Sequence, residues 1–261
     1  MVRLAAFVLS AIVVGTFVAP VGFGAALSPG LHLGPDLSLM LNTTKVSSNN
    51  WAGYATTSGA GLMQKAQATW VQPSATCSSK TSYAAIWVGI DGYGSSTVEQ
   101  VGTLIECTGG TASYYSWWEM YPSTAHIVGS VSPGDHISAS VTYNSTHSNF
   151  KLVFKDVTAG TGFTQTAKLS TASESSAECI VEAAGGASTA SGFYPLTDFG
   201  SVKFTSCIVR LSVSNSFGIG SSGAAAQITM VSYPSGSHVL AKPSKITGHG
   251  AVFTVTWYHS T

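Results

Sequence analysis

Beyond its N-terminal segment the chain reads as short runs of alternating apolar and polar residues, set between clusters of turn formers. Gln67-Ala68-Thr69-Trp70-Val71, Ala85-Ile86-Trp87-Val88-Gly89-Ile90, Tyr114 to Tyr121 and His136 to Tyr143 are four such runs. Phe150 to Phe154, Val202 to Phe204, Ala226 to Val231 and Ala251 to Trp257 are four more. Ser132-Pro133-Gly134-Asp135 and Pro234-Ser235-Gly236 punctuate them. Runs rich in β-branched and aromatic residues, bounded by Pro, Gly, Ser and Asp, read as strands and turns. Helical periodicity is not sustained after the first 26 residues. The pattern predicts an all-β chain folded as a β-sandwich or jelly roll. With no repeat and no linker, one domain is expected over residues 48–261.

The alternation also sorts side chains by face. Trp117, Glu119 and Tyr121 point one way, Trp118 and Met120 the other. Val98, Gln100 and Gly102 share a face. In Ala177-Glu178-Cys179-Ile180-Val181-Glu182, the residues Glu178, Ile180 and Glu182 lie opposite Cys179 and Val181. Carboxylates and large aromatics on one sheet face are what a substrate groove needs. A solvated outer face, or a buried polar network that only fixes the fold, would show the same pattern.

The N-terminus changes the picture. Residues 1–26 carry one cation, Arg3, then an apolar run, then small residues up to Ala26. This reads as a signal peptide for secretion. The stretch is also long enough for a membrane anchor, but the small residues at its end favour cleavage. Residues 27–47 read as a leader or short prosegment. No other segment is apolar enough to span a bilayer, so no membrane partner is expected. Only 8% of residues are charged and the formal net charge is zero, which argues against nucleic acid as a partner. So few ionisable groups limit the self-repulsion that builds up on acidification.

Cys77, Cys107, Cys179 and Cys207 all follow the signal. An even number in an exported chain implies two disulfides, with three possible connectivities. Cys77–Cys107 and Cys179–Cys207 are expected, because each pair brackets a compact stretch. Neither a CxxC redox motif nor zinc-ligand spacing is present. Asn42-Thr43-Thr44 and Asn144-Ser145-Thr146 match the glycosylation sequon.

Several familiar chemistries are missing from the chain. There is no HExxH, the seven histidines are scattered, and no GxSxG occurs. No metal and no cofactor are expected. Among the acids, Asp36 lies in the leader, Asp135, Asp156 and Glu174 read as solvated turn residues, and Asp198 as structural. Asp91, Glu99, Glu106, Glu119, Glu178 and Glu182 remain as candidates, in or beside aromatic-rich strands.

Read together, these stretches resemble one family. Asn49-Asn50-Trp51-Ala52-Gly53-Tyr54, Thr69-Trp70-Val71-Gln72-Pro73 and Trp87-Val88-Gly89-Ile90-Asp91-Gly92 come first, in that order. Val98-Glu99-Gln100-Val101-Gly102-Thr103, Trp117-Trp118-Glu119-Met120-Tyr121-Pro122, Ala177 to Ala184 and Asp198 to Thr205 follow. The set is similar to the glutamic peptidases, or eqolisins, in a bacterial-type form. The resemblance implies a lectin-like sandwich of two bent antiparallel sheets. It implies Gln100 and Glu182 as the catalytic pair, with Glu119, Asp91, Trp87 and Trp117 supporting it. Trp51, matching a tryptophan of the mature N-terminal strand, would line the groove with Tyr121 and Glu178. Tyr115 stands where fungal members carry an acid, Cys179 where a Trp is usual, and Glu99 where a Leu is usual.

The implied chemistry is acid-active peptide hydrolysis on a polypeptide substrate by a monomeric, secreted enzyme. A carboxylate can deprotonate water and return the proton to the leaving amine, and an amide can donate to the oxyanion. Two other classes use the same residues. A glycosidase would pair Glu119 with Glu182 across a sugar bounded by Trp87 and Trp117. A lectin-like module would bind carbohydrate there without chemistry.

Overall fold

The computed structural model describes residues 31–32, 45–186, 189, 191–212 and 214–260. The expected signal peptide, most of the leader and the Asn42 sequon lie outside them. In chain order the strands begin with β1 Leu31–His32, β2 Lys45–Ser48, β3 Trp51–Thr57, β4 Met63–Val71, β5 Ser82–Ile90 and β6 Val98–Thr108. Next come β7 Thr111–Tyr121, β8 His126–Ser130, β9 His136–Asn144, β10 Asn149–Asp156, β11 Thr161–Ala167 and β12 Ser176–Glu182. The last are β13 Gly185–Gly186, β14 Ser201–Leu211, β15 Phe217–Gly218, β16 Ala225–Val231, β17 Val239–Pro243 and β18 Phe253–Trp257.

One hydrogen-bonded path runs β11-β10-β9-β4-β14-β18-β17-β16-β3-β12-β5-β6-β7-β8. It folds into two layers because β14 serves both. Ser201–Phe204 pairs with β18, whereas Thr205 to Leu211 pairs with β4 across a register slip. At that slip Ser206 takes φ 52, the left-handed region in which the strand can turn out of one sheet into the other. The run expected at Val202 to Phe204 is therefore only the first part of a longer strand.

The back sheet, β11-β10-β9-β4-β14, packs on the front sheet that holds β3, β12, β5, β6 and β7. Trp70, Ile137, Phe150, Leu152 and Phe154 of the back meet Ile86, Val88, Val101, Ile105 and Val181 of the front in one core. The other face of the front sheet carries a second cluster that includes Trp51, Tyr83, Trp87, Leu104, Trp117 and Ile180. With both faces covered, every residue of β5 and β12 is buried. The face assignment expected at β7 holds: Trp117 and Tyr121 belong to this second cluster, and Trp118 and Met120 pack with the core.

Both expected disulfides are present, Cys77–Cys107 and Cys179–Cys207. The second ties the core face of β12 to β14 just past its bend. β2 pairs in parallel with β16, so the expected leader boundary at residue 47 falls inside a strand. β1 pairs with β13, Leu31 opposite Gly186 and His32 opposite Gly185. Two acids expected to be solvated are not. Asp135 and Asp156 are buried; Asp135 Oδ2 accepts the Ser132 N–H at 2.7 Å and Asp156 Oδ1 that of Ala159 at 2.9 Å. Each satisfies an amide that its turn would otherwise leave unpaired. Among the described residues, no helix is long and apolar enough to cross a membrane.

Candidate active site

Glu182 ends β12, paired in register with Trp51 of β3 and Ala85 of β5. Gln100 lies one strand beyond β5, with Gly89 on one side and Glu119 of β7 on the other. Gln100, Glu119 and Glu182 are all fully buried. An unpaired polar atom is costly when buried, and the hydrogen bonds that these three side chains make define the site. Trp87 Nε1 donates to Glu182 Oε2 at 2.8 Å, and Asn50 Nδ2 donates to Oε1 at 3.1 Å. Gln100 Nε2 donates to Glu119 Oε2 at 2.6 Å.

Gly89 makes room for the indole that reaches Glu182, and Gly102 for the β5 backbone that carries it. A Cβ on Gly102 would stand 2.7 Å from Trp87 Cβ, and one on Gly89 would stand 2.9 Å from the ring. Trp51 closes the other side, edge-on to Trp87 at 5.1 Å and 74°. Trp117 is fully buried opposite Gly102, and Tyr121 is partly buried at the end of β7. Tyr115, where fungal members carry an acid, packs against the same cluster.

Burial raises the Glu119 pKa well above the ordinary carboxylate range; the Glu182 charge raises it further and the Gln100 N–H opposes. Two carboxyls that feel each other in a site sealed from water do not both ionise. Of this pair, Glu119 is the carboxyl whose pKa burial drives upward.

Asp91 follows the end of β5, and Glu178 lies in one row with Gly89, Gln100 and Glu119 across β12, β5, β6 and β7. Asp91 adopts φ 66, and its carboxylate accepts the N–H groups of Ser173, Glu174 and Ser175 at 2.8–2.9 Å. It thus pins the segment that leads into β12. Glu178 is fully buried, its Oε1 accepting the Tyr93 N–H at 3.3 Å. Glu99, on the opposite face of β6 from Gln100, is buried near both. Its pKa is pushed up to about 10, by burial first and then by the Asp91 charge, while the Thr97 hydroxyl pulls it down. Burial raises Glu178 well above its usual range too; Ser176 and Tyr93 lower it and Asp91 adds to the rise. The structure therefore holds two acidic groups on the front sheet: Glu119 with Glu182, and Asp91 with Glu99 and Glu178.

Asn50 is the site residue to which sequence reasoning gave no role. It stood in the Asn49-Asn50-Trp51 motif, but its acceptor is 132 residues away, and nothing in the local pattern marks it as a donor.

Residues 49–255 match the model of the Peptidase A4 family. This chain belongs to that family, the glutamic peptidases or eqolisins. It is a peptidase, and the glycosidase and binding-module readings fall with that assignment. Scytalido-glutamic peptidase, solved with a peptide-based transition-state analogue, matches with a TM-score of 0.67 at 23% identity, over 80% of this chain and 98% of that one. SCP-B, an eqolisin solved with the tripeptide Ala-Ile-His, gives 0.62 at 23% identity over the same shares. Both show the fold. Aspergilloglutamic peptidase from Aspergillus niger gives 0.55 at 29% identity, over 67% of this chain and 99% of its own. No curated protein sequence gives a significant match.

Proposed function

We propose that this glutamic peptidase is a secreted, acid-active endopeptidase in which Glu182 and Gln100 carry out hydrolysis. The ionised Glu182 takes a proton from a water, whose oxygen bonds to the scissile carbonyl carbon. The Gln100 amide, held by Glu119, donates an N–H to the resulting oxyanion. Glu182 then passes its proton to the amide nitrogen, the C–N bond breaks, and the carboxylate is regenerated. With Glu119 neutral, the site carries a single negative charge, and the Gln100 amide does not titrate away in acid.

One observation carries this reading. Glu182 is held by two N–H donors, and donated hydrogen bonds favour the ionised form that a base requires. Secretion is supported by the N-terminal pattern and by two disulfides, which persist in oxidising compartments. Because the three groups are buried, substrate entry requires part of the covering structure to move. The β1 contact at Gly185–Gly186, just past Glu182, makes the leader the segment to remove first.

The test is turnover of denatured protein at acid pH by purified Glu182→Gln and Gln100→Ala. Glu182→Gln should be inactive, and Gln100→Ala should lose about 100-fold or more in kcat, the cost of one pre-organised donor. Far-UV circular dichroism should be unchanged in both. Wild-type turnover by either variant overturns the assignment.

A further inference from the structure

We infer that Asn50 is the positioning residue of Glu182, fixing the direction of its carboxylate and favouring its ionised form. The inference rests on the reading of Glu182 as the base. Asn50 is fully buried at the entrance to β3. Its amide orientation is set from the other side, since Ser48 Oγ donates to Asn50 Oδ1 at 3.2 Å. The same Ser48 Oγ accepts the N–H of Asn50 at 3.3 Å and that of Trp51 at 3.1 Å. With Oδ1 engaged, Nδ2 is turned toward Glu182. The reverse orientation would set an amide oxygen against a carboxylate oxygen, so the network admits one assignment.

The residue grips the catalytic strand twice. Its side chain takes Glu182 Oε1, and its carbonyl accepts the Ala183 N–H at 2.8 Å. Trp87 Nε1 donates to Oε2, so each carboxylate oxygen accepts from a neutral donor. A cation in this place would hold Glu182 ionised so strongly that it would be a poor base. A neutral amide favours the charge moderately and cannot titrate itself. Trp87 cannot serve as the adjustable donor, because its ring also packs against Trp51.

The other acids of this face stand on β6, β7 and β12. Burial raises the pKa of Glu119 of β7 well above the ordinary carboxylate range. Glu178 of β12 is bound by the Tyr93 N–H, and Glu106 of β6 by the Tyr83 hydroxyl at 2.9 Å. Tyr83 of β5, Tyr115 of β7 and Tyr194 are tyrosines, which do not ionise in acid. The β3 and β16 strands bring no ionisable side chain other than Tyr54.

The experiment is kcat/KM against pH for the wild type, Asn50→Ala and Asn50→Asp. In Asn50→Ala the acid limb should move up by about one pH unit, as one donor to the charged form is lost. Its kcat should fall about tenfold while KM stays within about twofold, because the residue acts through Glu182 rather than on substrate. Asn50→Asp nearly preserves shape. It should work where the new acid is protonated and lose activity as that acid ionises beside Glu182, narrowing the profile from its alkaline side. An unchanged acid limb in Asn50→Ala, with only the melting temperature lowered, overturns the inference. If Asn50→Ala does not fold, a wild-type profile in Asn50→Asp overturns it. Failure of the underlying reading looks different: Glu182→Gln would then retain turnover.

Discussion

Gln100 Nε2 stands 2.6 Å from Glu119 Oε2, which fixes the amide by a carboxyl whose pKa burial raises. If Glu119 acts as a neutral acceptor, Glu119→Gln should stay within about tenfold of wild-type kcat, since a side-chain amide also offers a carbonyl oxygen. Glu119→Ala removes the acceptor and lets Gln100 rotate. It should lose about 100-fold, close to the cost of losing the oxyanion donor itself. Steady-state kinetics at acid pH separate the two. Equal losses would mean that a charge, not an acceptor, is needed there.

The second acidic group predicts a stability that favours acid. Folded Glu99 holds its proton to about 10 against an ordinary value of 4.5, and Glu178 is raised in the same direction. A group raised on folding stabilises fully below 4.5 and loses that contribution as pH climbs toward its folded value. The slope is about 1.4 kcal/mol per pH unit for each proton involved. The melting temperature should therefore fall between pH 4 and pH 8. Glu99→Gln, which cannot ionise, should match the wild type at pH 4 and melt higher at pH 7. Parallel melting profiles for the two proteins would show that Glu99 does not titrate in the fold.

How much of this was legible depended on whether the information was local. Period-two alternation separated Glu182 from Cys179 and Trp117 from Trp118, and the structure keeps both divisions. The cysteine pairs were legible because each closes a short loop. Other features needed distant partners. The approach of Glu99 and Glu178 to Asp91 is one, because it arises where the turn after β5 folds onto the segment before β12. Asp135 and Asp156 looked solvated because turn residues usually are, whereas here the turns bend their carboxylates back onto their own backbone amides. The bend at Ser206 left no mark in a strand of ordinary composition.

Processing should control activity. β1 joins the leader to Gly185–Gly186, whereas β2 is anchored to β16. A chain beginning at Lys45 should keep its fold and show no lag in hydrolysing denatured protein. One beginning at Leu27 should show a lag that ends when its N-terminus is trimmed. N-terminal sequencing across the time course tests this, and full immediate activity of the longer chain would refute it.

The two disulfides should separate kinetically. Replacing both cysteines of either pair with Ala should cost about 3 to 4 kcal/mol, given separations of 28 and 30 residues. Only the Cys179–Cys207 loss should also depress kcat, because Cys179 lies on the strand that carries Glu182. Equal kcat in the two double variants, measured well below their melting temperatures, would contradict that coupling.

For anyone adapting this molecule, the shared strand Ser201–Leu211 rules out treating the two layers as interchangeable modules. A library or fusion placed in that strand would be felt by the chemistry, however far away it looks on the surface. Thr161–Ala167 ends the hydrogen-bonded path on the side remote from Glu182, and it is the rim to choose for a graft or a tether.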